Sequence, residues 1–268
     1  MAERLSTLRL VCFVTSDRDA VHVGLLTPDA QQVVDLAHLG ISDVLEAIDQ
    51  RDMLRRAAGA IVHGPARTAY AVSDVHLMAA MPLARSVVKL DASSSVSFAD
   101  PTTLHGPGGH LSRTDAAGAR AGLAAVVGET LSASADVSEE TLDRALIATT
   151  IVLGWPQPGS GPDSVLLPGA VGPFVAVPRR HPESLVLTRV APLGVADDES
   201  AQQLLPAPAD ADFYSVARAA LRSHSLRPGD LVTIFPVEPL RAVRGPVMAG
   251  SWIRVSAPGL GTLSLAVL

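Results

Sequence analysis

Cysteine is nearly absent. Cys12 is the only one in 268 residues, so no internal disulfide can form and no cysteine-rich zinc cage can be built. Lysine is as scarce: Lys89 stands alone among 21 basic residues, the others are arginines scattered along the chain, and the formal charge is −6. Nucleic-acid and anionic-membrane surfaces need clustered cations, so a polybasic patch of either kind is excluded. Charged residues make up 18% against 48% hydrophobic ones, a balance that excludes intrinsic disorder. The first residues, Met1-Ala2-Glu3-Arg4-Leu5, hold no apolar signal core. Leu146 to Trp155, the longest uncharged apolar stretch of helical character, is about half the ~20 residues a membrane span needs. Internal repeats and low-complexity tracts are missing too. The expectation is a soluble, cytoplasmic protein with no nucleic-acid or membrane partner.

What is present reads as α+β, mainly β. Leu8 to Val14, Val21 to Leu26 and Val33 to Leu36 are β-branched, apolar runs separated by Ser16-Asp17-Arg18-Asp19 and Thr27-Pro28-Asp29, which predicts a three-stranded meander. Ile41, Val44, Leu45 and Ile48 follow at helical spacing, so a helix, with an extension past Leu54 as the longer alternative, should cover one face of that small sheet. Met81-Pro82-Leu83 reads as a linker. The expected domains are therefore 1–80, a small N-terminal unit, and 86–268, the main one. In the second unit Ser86 to Leu90, Val96 to Phe98, Leu123 to Val127, Leu231 to Phe235, Ile253 to Ser256 and Thr262 to Val267 are strand-like. Ser138-Glu139-Glu140 is a helix start, a capping hydroxyl followed by acids beside the positive helix end. Leu142, Leu146, Thr149, Thr150 and Leu153 predict that this helix continues to Pro156, and a second helix is predicted over Phe213 to Ser223.

Several stretches, in order, resemble the fumarylacetoacetate hydrolase family. Val23-Gly24-Leu25-Leu26 with Val33-Val34-Asp35-Leu36 is similar to the family's N-terminal pattern. Phe98-Ala99-Asp100-Pro101 with Gly106-Pro107-Gly108 echoes its F-x-K-P…G-P-G segment, and Leu123 to Gly128 with Asp136 to Glu140 echoes E-L-A-V-V-I-G…N-V-S-E-E. Val171-Gly172-Pro173-Phe174, Leu226 to Thr233 and Gly250 to Leu263 resemble its later turns and closing strands. The resemblance implies a small N-terminal domain, a C-terminal mixed β-sandwich roll, commonly a homodimer, and a site at the mouth of the roll. There the family holds a divalent metal on carboxylates, and a His–Glu pair activates water for C–C cleavage of acylpyruvate-like substrates. A hard cation chelated by vicinal oxo and carboxylate oxygens stabilises developing enolate charge.

Carried over residue by residue, that machinery is missing here. The paired metal carboxylates fall on Arg120 and Gly122, the metal-binding Asp falls at or near Trp155, and the H-x-x-E loop has no counterpart between Lys89 and Phe98. The family Lys becomes Asp100, and the substrate turn becomes Ile234-Phe235-Pro236. A unit charge ~4 Å away at an effective dielectric of ~20 interacts by roughly 4 kcal/mol, and by twice that with a divalent ion. Arg120 in place of a ligand turns that attraction into repulsion. No metal and no other cofactor is expected at the family position; Asp100, Asp115 and Asp163 are the carboxylates from which a relocated site could be rebuilt.

The candidate catalytic residues are His105, His110 and Arg120. Either histidine can serve as a base near neutrality, or both are exposed loop residues. Arg120 binds a substrate carboxylate or enolate, or pairs with Asp100 or Asp163 in a collapsed pocket. Asp100, Trp155, Phe235, Glu238 and Arg241 are candidate substrate contacts, with Trp155 read as a pocket wall or filler, and with a solvated loop the plain alternative for Glu238 and Arg241. Cys12 reads as a small core residue. Two functions remain. One is a metal-independent enzyme, a lyase, isomerase or cyclase-type tailoring step on an enolisable small molecule in specialised metabolism. The other is a non-catalytic relative that binds a ligand or supports an active subunit. A metal-dependent acylpyruvate-type hydrolase returns only if the three aspartates rebuild a metal site.

Overall fold

Leu8, Leu10 and Cys12 leave the first strand on one side and Val11 and Phe13 on the other, and the two sets belong to two different buried clusters. A strand buried on both faces must lie inside a sheet covered from both sides. The computed structural model describes residues 7–16, 20–64, 68–81, 84–90, 96–99, 104–112, 119–134, 136–156, 166–192, 201–235 and 248–268. In it β1 (Leu8–Thr15), β2 (His22–Leu26) and β3 (Gln32–Asp35) form the expected antiparallel meander. The meander does not end as a separate sheet. β1 pairs on its other edge with β12 (Val175–Val177), and a 12-stranded sheet continues through β10 (Leu146–Pro156), β9 (Arg120–Val127), β15 (Leu231–Ile234), β6 (Val87–Leu90) and β7 (Val96–Ala99). β4 (Ala69–Ala71) closes the meander end, while β5 (Val75–Leu77) and β11 (Leu166–Val171) pair with β1 and β10.

A five-stranded sheet packs against this one in the order β14 (Ala201–Pro206), β13 (Ser184–Val190), β16 (Trp252–Ala257), β17 (Gly261–Val267) and β8 (His110–Leu111). Leu185, Leu187, Ile253, Val255, Leu263 and Leu265 alternate inward from it and meet Leu123, Ala125 and Ile151 of the large sheet. The other face of the large sheet is covered near its N-terminal end by α1 (Val44–Asp49) and α2 (Arg51–His63). Sheets dominate and helices are few, so the mainly-β α+β class holds.

One sequence expectation fails. The helix opened by Ser138, whose Oγ accepts from Thr141 N at 3.2 Å, is only α3 (Glu139–Ala145), and Leu146 to Pro156 is strand. Ile147, Thr149, Thr150, Ile151 and Val152 are β-branched, and a pleated surface buried on both faces accommodates them better than a helix turn. Buried Thr150 then donates its hydroxyl to Phe174 O at 2.9 Å, a bond across the sheet that a helix would not offer. The helix near Ile41 is also divided. Asp43 caps α1 by accepting from Glu46 N at 2.8 Å, the helix ends at Asp49, and α2 starts after Gln50. The last helix, α4, spans Asp210–Leu221 rather than Phe213 to Ser223.

Arg179 locks α3 to α4 beneath the roll. Its side chain is 6% exposed, and Nη2 lies 2.6 Å from Asp143 Oδ1, 2.8 Å from Asp210 Oδ1 and 3.1 Å from the Tyr214 hydroxyl, with the guanidinium 5.4 Å from that ring's centroid. Cys12 is buried with its thiol directed at Ala80 O, as a core residue. No helix of the described residues is long and apolar enough to cross a membrane.

Candidate functional site

Strand alternation decides what each candidate can reach. On β9, Arg120 and Gly122 share a face with Ala124 and Val126, while Ala121, Leu123 and Ala125 turn to the inter-sheet core. On β10 the residue opposite Arg120 is Gly154 and the one opposite Gly122 is Val152. Trp155 follows Leu153 and Ile151 to the inter-sheet face. Arg120 and Trp155, at the same end of the strands, therefore leave the sheet on opposite faces. The position near Trp155 that shares a face with Arg120 is Gly154, which carries no side chain.

His105 lies with Trp155. Its backbone is held on both sides, His105 N donating to Gly169 O at 2.8 Å and His105 O accepting from Val171 N at 3.0 Å. The imidazole stacks on the indole with centroids 6.3 Å apart and planes 28° from parallel, and His105 is exposed. Trp155 is fixed in turn by Gly169. The β10–β11 ladder shifts register after Leu153, and a Cβ on Gly169 would overlap Trp155 Cζ2 and Cη2 and lie 2.5 Å from Cε2. Glycine inside a strand here marks a bulge with an aromatic ring laid against the backbone.

His110 is separated from His105 by the turn in which Gly109 N donates to Gly106 O at 3.2 Å. It pairs with Ala266, and since Leu111 and Val267 point to the core, His110 sits on the exposed outer side of the five-stranded sheet. Phe235 comes to Arg120's face. It follows β15 and packs against Gly122, where an added Cβ would strike Ile234 O and lie 2.7 Å from Phe235 Cδ1. Asp100, Asp115, Asp163, Glu238 and Arg241 lie outside the described residues.

The divalent metal that the resemblance implies does not fit these residues. Position 120 is a half-buried cation, and position 122 has no room even for a methyl group unless Phe235 or the Ile234 carbonyl moves. Among the described residues no group of three His, Cys, Asp or Glu side chains is placed to hold a metal ion. What the arrangement offers is a positioned imidazole against an indole wall, and an arginine on the other face at the same strand end.

A separate cavity of about 400 Å³ lies beside α1, lined by Cys12, Val23, Val44, Leu45, Met81 and Arg85 among others. Burial, with Asp43's charge adding to it, pushes the Cys12 thiol up to about 12, so no thiolate is available there near neutral pH.

The sequence holds signals for the glycine–ring pairs, because Gly122 and Gly169 interrupt apolar strands. Which ring meets which glycine depends on pairing across strands distant in sequence.

Neither a protein-family model nor a curated protein matches the chain. Solved structures do. The maleylpyruvate hydrolase from Sphingobium sp. SYK-6 aligns with TM-score 0.70 at 18% identity over 97% of this chain and 99% of its own. That hydrolase is also known in complex with manganese(II) and pyruvate, where the alignment gives 0.68 at 19% identity, with 97% and 98% covered. The 2-hydroxyhepta-2,4-diene-1,7-dioate isomerase from Mycobacterium marinum gives 0.63 at 19% identity, with 97% and 98% covered. The fumarylacetoacetate hydrolase from Exiguobacterium antarcticum gives 0.62 at 15% identity, with 97% and 99% covered. These likenesses run end to end, and at such identities they speak for architecture rather than activity. The chain has the fold of the fumarylacetoacetate hydrolases.

Proposed function

We propose that the chain is a metal-independent enzyme on this fold, acting on an enolisable small molecule as a lyase, isomerase or cyclase, in a tailoring step of specialised metabolism. The observation that carries the reading is the stacked His105–Trp155 pair. A titratable ring is pinned by its backbone and by an aromatic neighbour, yet remains open to solvent at the end of the strands. The imidazole removes a proton from the carbon beside a carbonyl, and the released electron pair moves to the carbonyl oxygen. The same ring returns the proton at another carbon, which makes the net change an isomerisation and leaves the balance of atoms unaltered. Trp155 provides a flat apolar wall for the conjugated system. Arg120 opens β9 at the same end of the strands, and its guanidinium is assigned to the anionic end of a substrate that reaches round that end of the sheet.

The test is α-proton exchange into deuterated water, followed by NMR, on a panel of 2-oxo acids and 1,3-diketones with chelator-treated protein. Exchange that persists without metal and falls about a hundredfold or more in His105→Gln supports the reading, in line with the usual contribution of a general base. Exchange that needs Mn²⁺, or that survives His105→Gln, refutes it. Arg120→Gln should raise KM more than it lowers kcat.

A second reading, a non-catalytic relative that binds a ligand or supports an active subunit, is favoured by one observation. Phe235 over Gly122 fills the place where a ligand side chain would stand. Absence of exchange on every substrate, together with saturable binding of one of them, would move the assignment there. The protein is further proposed to be a cytoplasmic homodimer; a monomer by light scattering at micromolar concentration removes the dimer.

A further inference from the structure

Arg9 is the charged member of the inter-sheet face of β1, on the side of Val11 and Phe13 toward the strand's start. Its Nη2 donates to Thr27 O at 2.6 Å, and its guanidinium lies 5.8 Å from the centroid of the buried Phe174 ring. Phe174 is itself held by Gly261, where a Cβ would come 2.7 Å from Cε1. A guanidinium carries five N–H donors, and the bond to Thr27 uses one of them. Arg9 lines a cleft of about 590 Å³ between the first strands and the outer sheet.

The walls of that cleft are of two kinds. Leu26, Pro28, Pro182 and Pro258 give it an apolar lining, whereas Thr7, Arg180 and Ser184 give it donors. Arg180 is fixed in place, its backbone N–H donating to Thr149 Oγ1 at 3.2 Å and its guanidinium to Thr7 Oγ1. Glu183 also lines the cleft and sets a limit, since a molecule negative at both ends would be repelled at one of them. Burial lowers the His181 pKa from its ordinary 6.5, against the pull of Asp210, and so disfavours a charge on that ring. An inorganic ion is small for this volume and would leave the apolar lining wet.

We propose that this cleft binds a small organic molecule with one oxyanion head, carboxylate or phosphate, held by Arg9 and Arg180, and a short apolar body laid against Leu26 and the prolines. Two rigid guanidiniums match an oxyanion's geometry by paired N–H bonds. The cleft is remote from the mouth. Arg9 is level with Ala176 and Thr149, whereas Arg120 is level with Gly154, five residues or about 16 Å further along β10. The site is thus an addition to the catalytic reading and does not depend on it.

Isothermal titration calorimetry with phenyl phosphate and with benzoate, at fixed ionic strength in sodium chloride, tests the assignment. One saturable site is expected, with affinity weakened about tenfold or more in Arg9→Gln and unchanged in Arg120→Gln. The tighter of the two probes identifies the head group. No saturable heat from either probe, equal affinity in Arg9→Gln, or loss of binding in Arg120→Gln alone would overturn it. Should Arg9→Gln fail to fold, labelling of the native protein with p-hydroxyphenylglyoxal, read by peptide mass spectrometry, takes its place. Phenyl phosphate should slow modification of Arg9 about tenfold, and undiminished labelling would overturn the assignment.

Discussion

Replacing Gly169 by alanine tests the packing on which the candidate site rests. The new methyl group would occupy the space of Trp155 Cζ2 and Cη2 and lie 2.5 Å from Cε2. Neither partner can retreat easily, because Trp155 is paired with Leu167 in the β10–β11 ladder and Gly169 O accepts the His105 N–H. Overpacking of this kind costs about 1–3 kcal/mol. In a chain of this size each kcal/mol moves Tm by about 2–4 °C, so urea midpoints and thermal scans should both register it. Rotating the indole away would also break its stack on His105. Trp252, the second tryptophan, is 39% exposed, and Trp252→Phe leaves Trp155 as the single emitter. In that background Gly169→Ala should shift the emission to the red as the indole meets water. The added change Trp155→Phe deletes the overlapped atoms and should restore stability relative to the sum of the single effects, with a coupling above ~0.5 kcal/mol. Unchanged Tm and emission in Gly169→Ala, or strict additivity in the double variant, would refute the account of this pair.

Four further outcomes follow from the structure. Thr150→Val removes the donor to Phe174 O and leaves a buried carbonyl unpaired, a loss of about 1–3 kcal/mol by urea denaturation, and a neutral effect would count against that bond. Arg179→Met breaks the clamp between α3 and α4, but Asp143 and Asp210 are 67% and 41% exposed, so the loss should be about 1–2 kcal/mol rather than the 3–5 of a fully buried pair. Near the clamp, the His181 pKa is lowered from 6.5 mainly by burial, so the unfolded chain takes up the proton first as pH falls. Stability present above pH 6.5 should decline below it until the folded ring is protonated, and His181→Gln should flatten that slope in a Tm–pH series. Cys12, raised to about 12, should resist a thiol reagent at pH 8 in the native protein and react at once in urea.

Much of the architecture is set by local pattern. Alternation and turn residues define β1, β2 and β3, and Ser138 with its following acids defines the start of α3. The ordered motifs from Val23 to Leu263 carry the resemblance to a fold that the solved structures share. Arg120 and Gly122, where the resemblance places carboxylates, are also legible without coordinates.

The stretch after Ala145 was not, because its apolar residues fit a helical stripe and its β-branching fits a strand. Only the neighbours β9, β11 and β12 decide for the strand, by supplying partners along both of its edges. The same holds for the site. A strand's residues alternate between faces, so Arg120 and Trp155 separate although they share one end of the sheet, and Phe235 meets Gly122 only because β15 pairs with β9. The sequence by itself determined which side chains this protein has available. Tertiary structure decided which of them meet, since pairing and register between distant segments are set by burial summed over the whole sheet and not by any short run of residues.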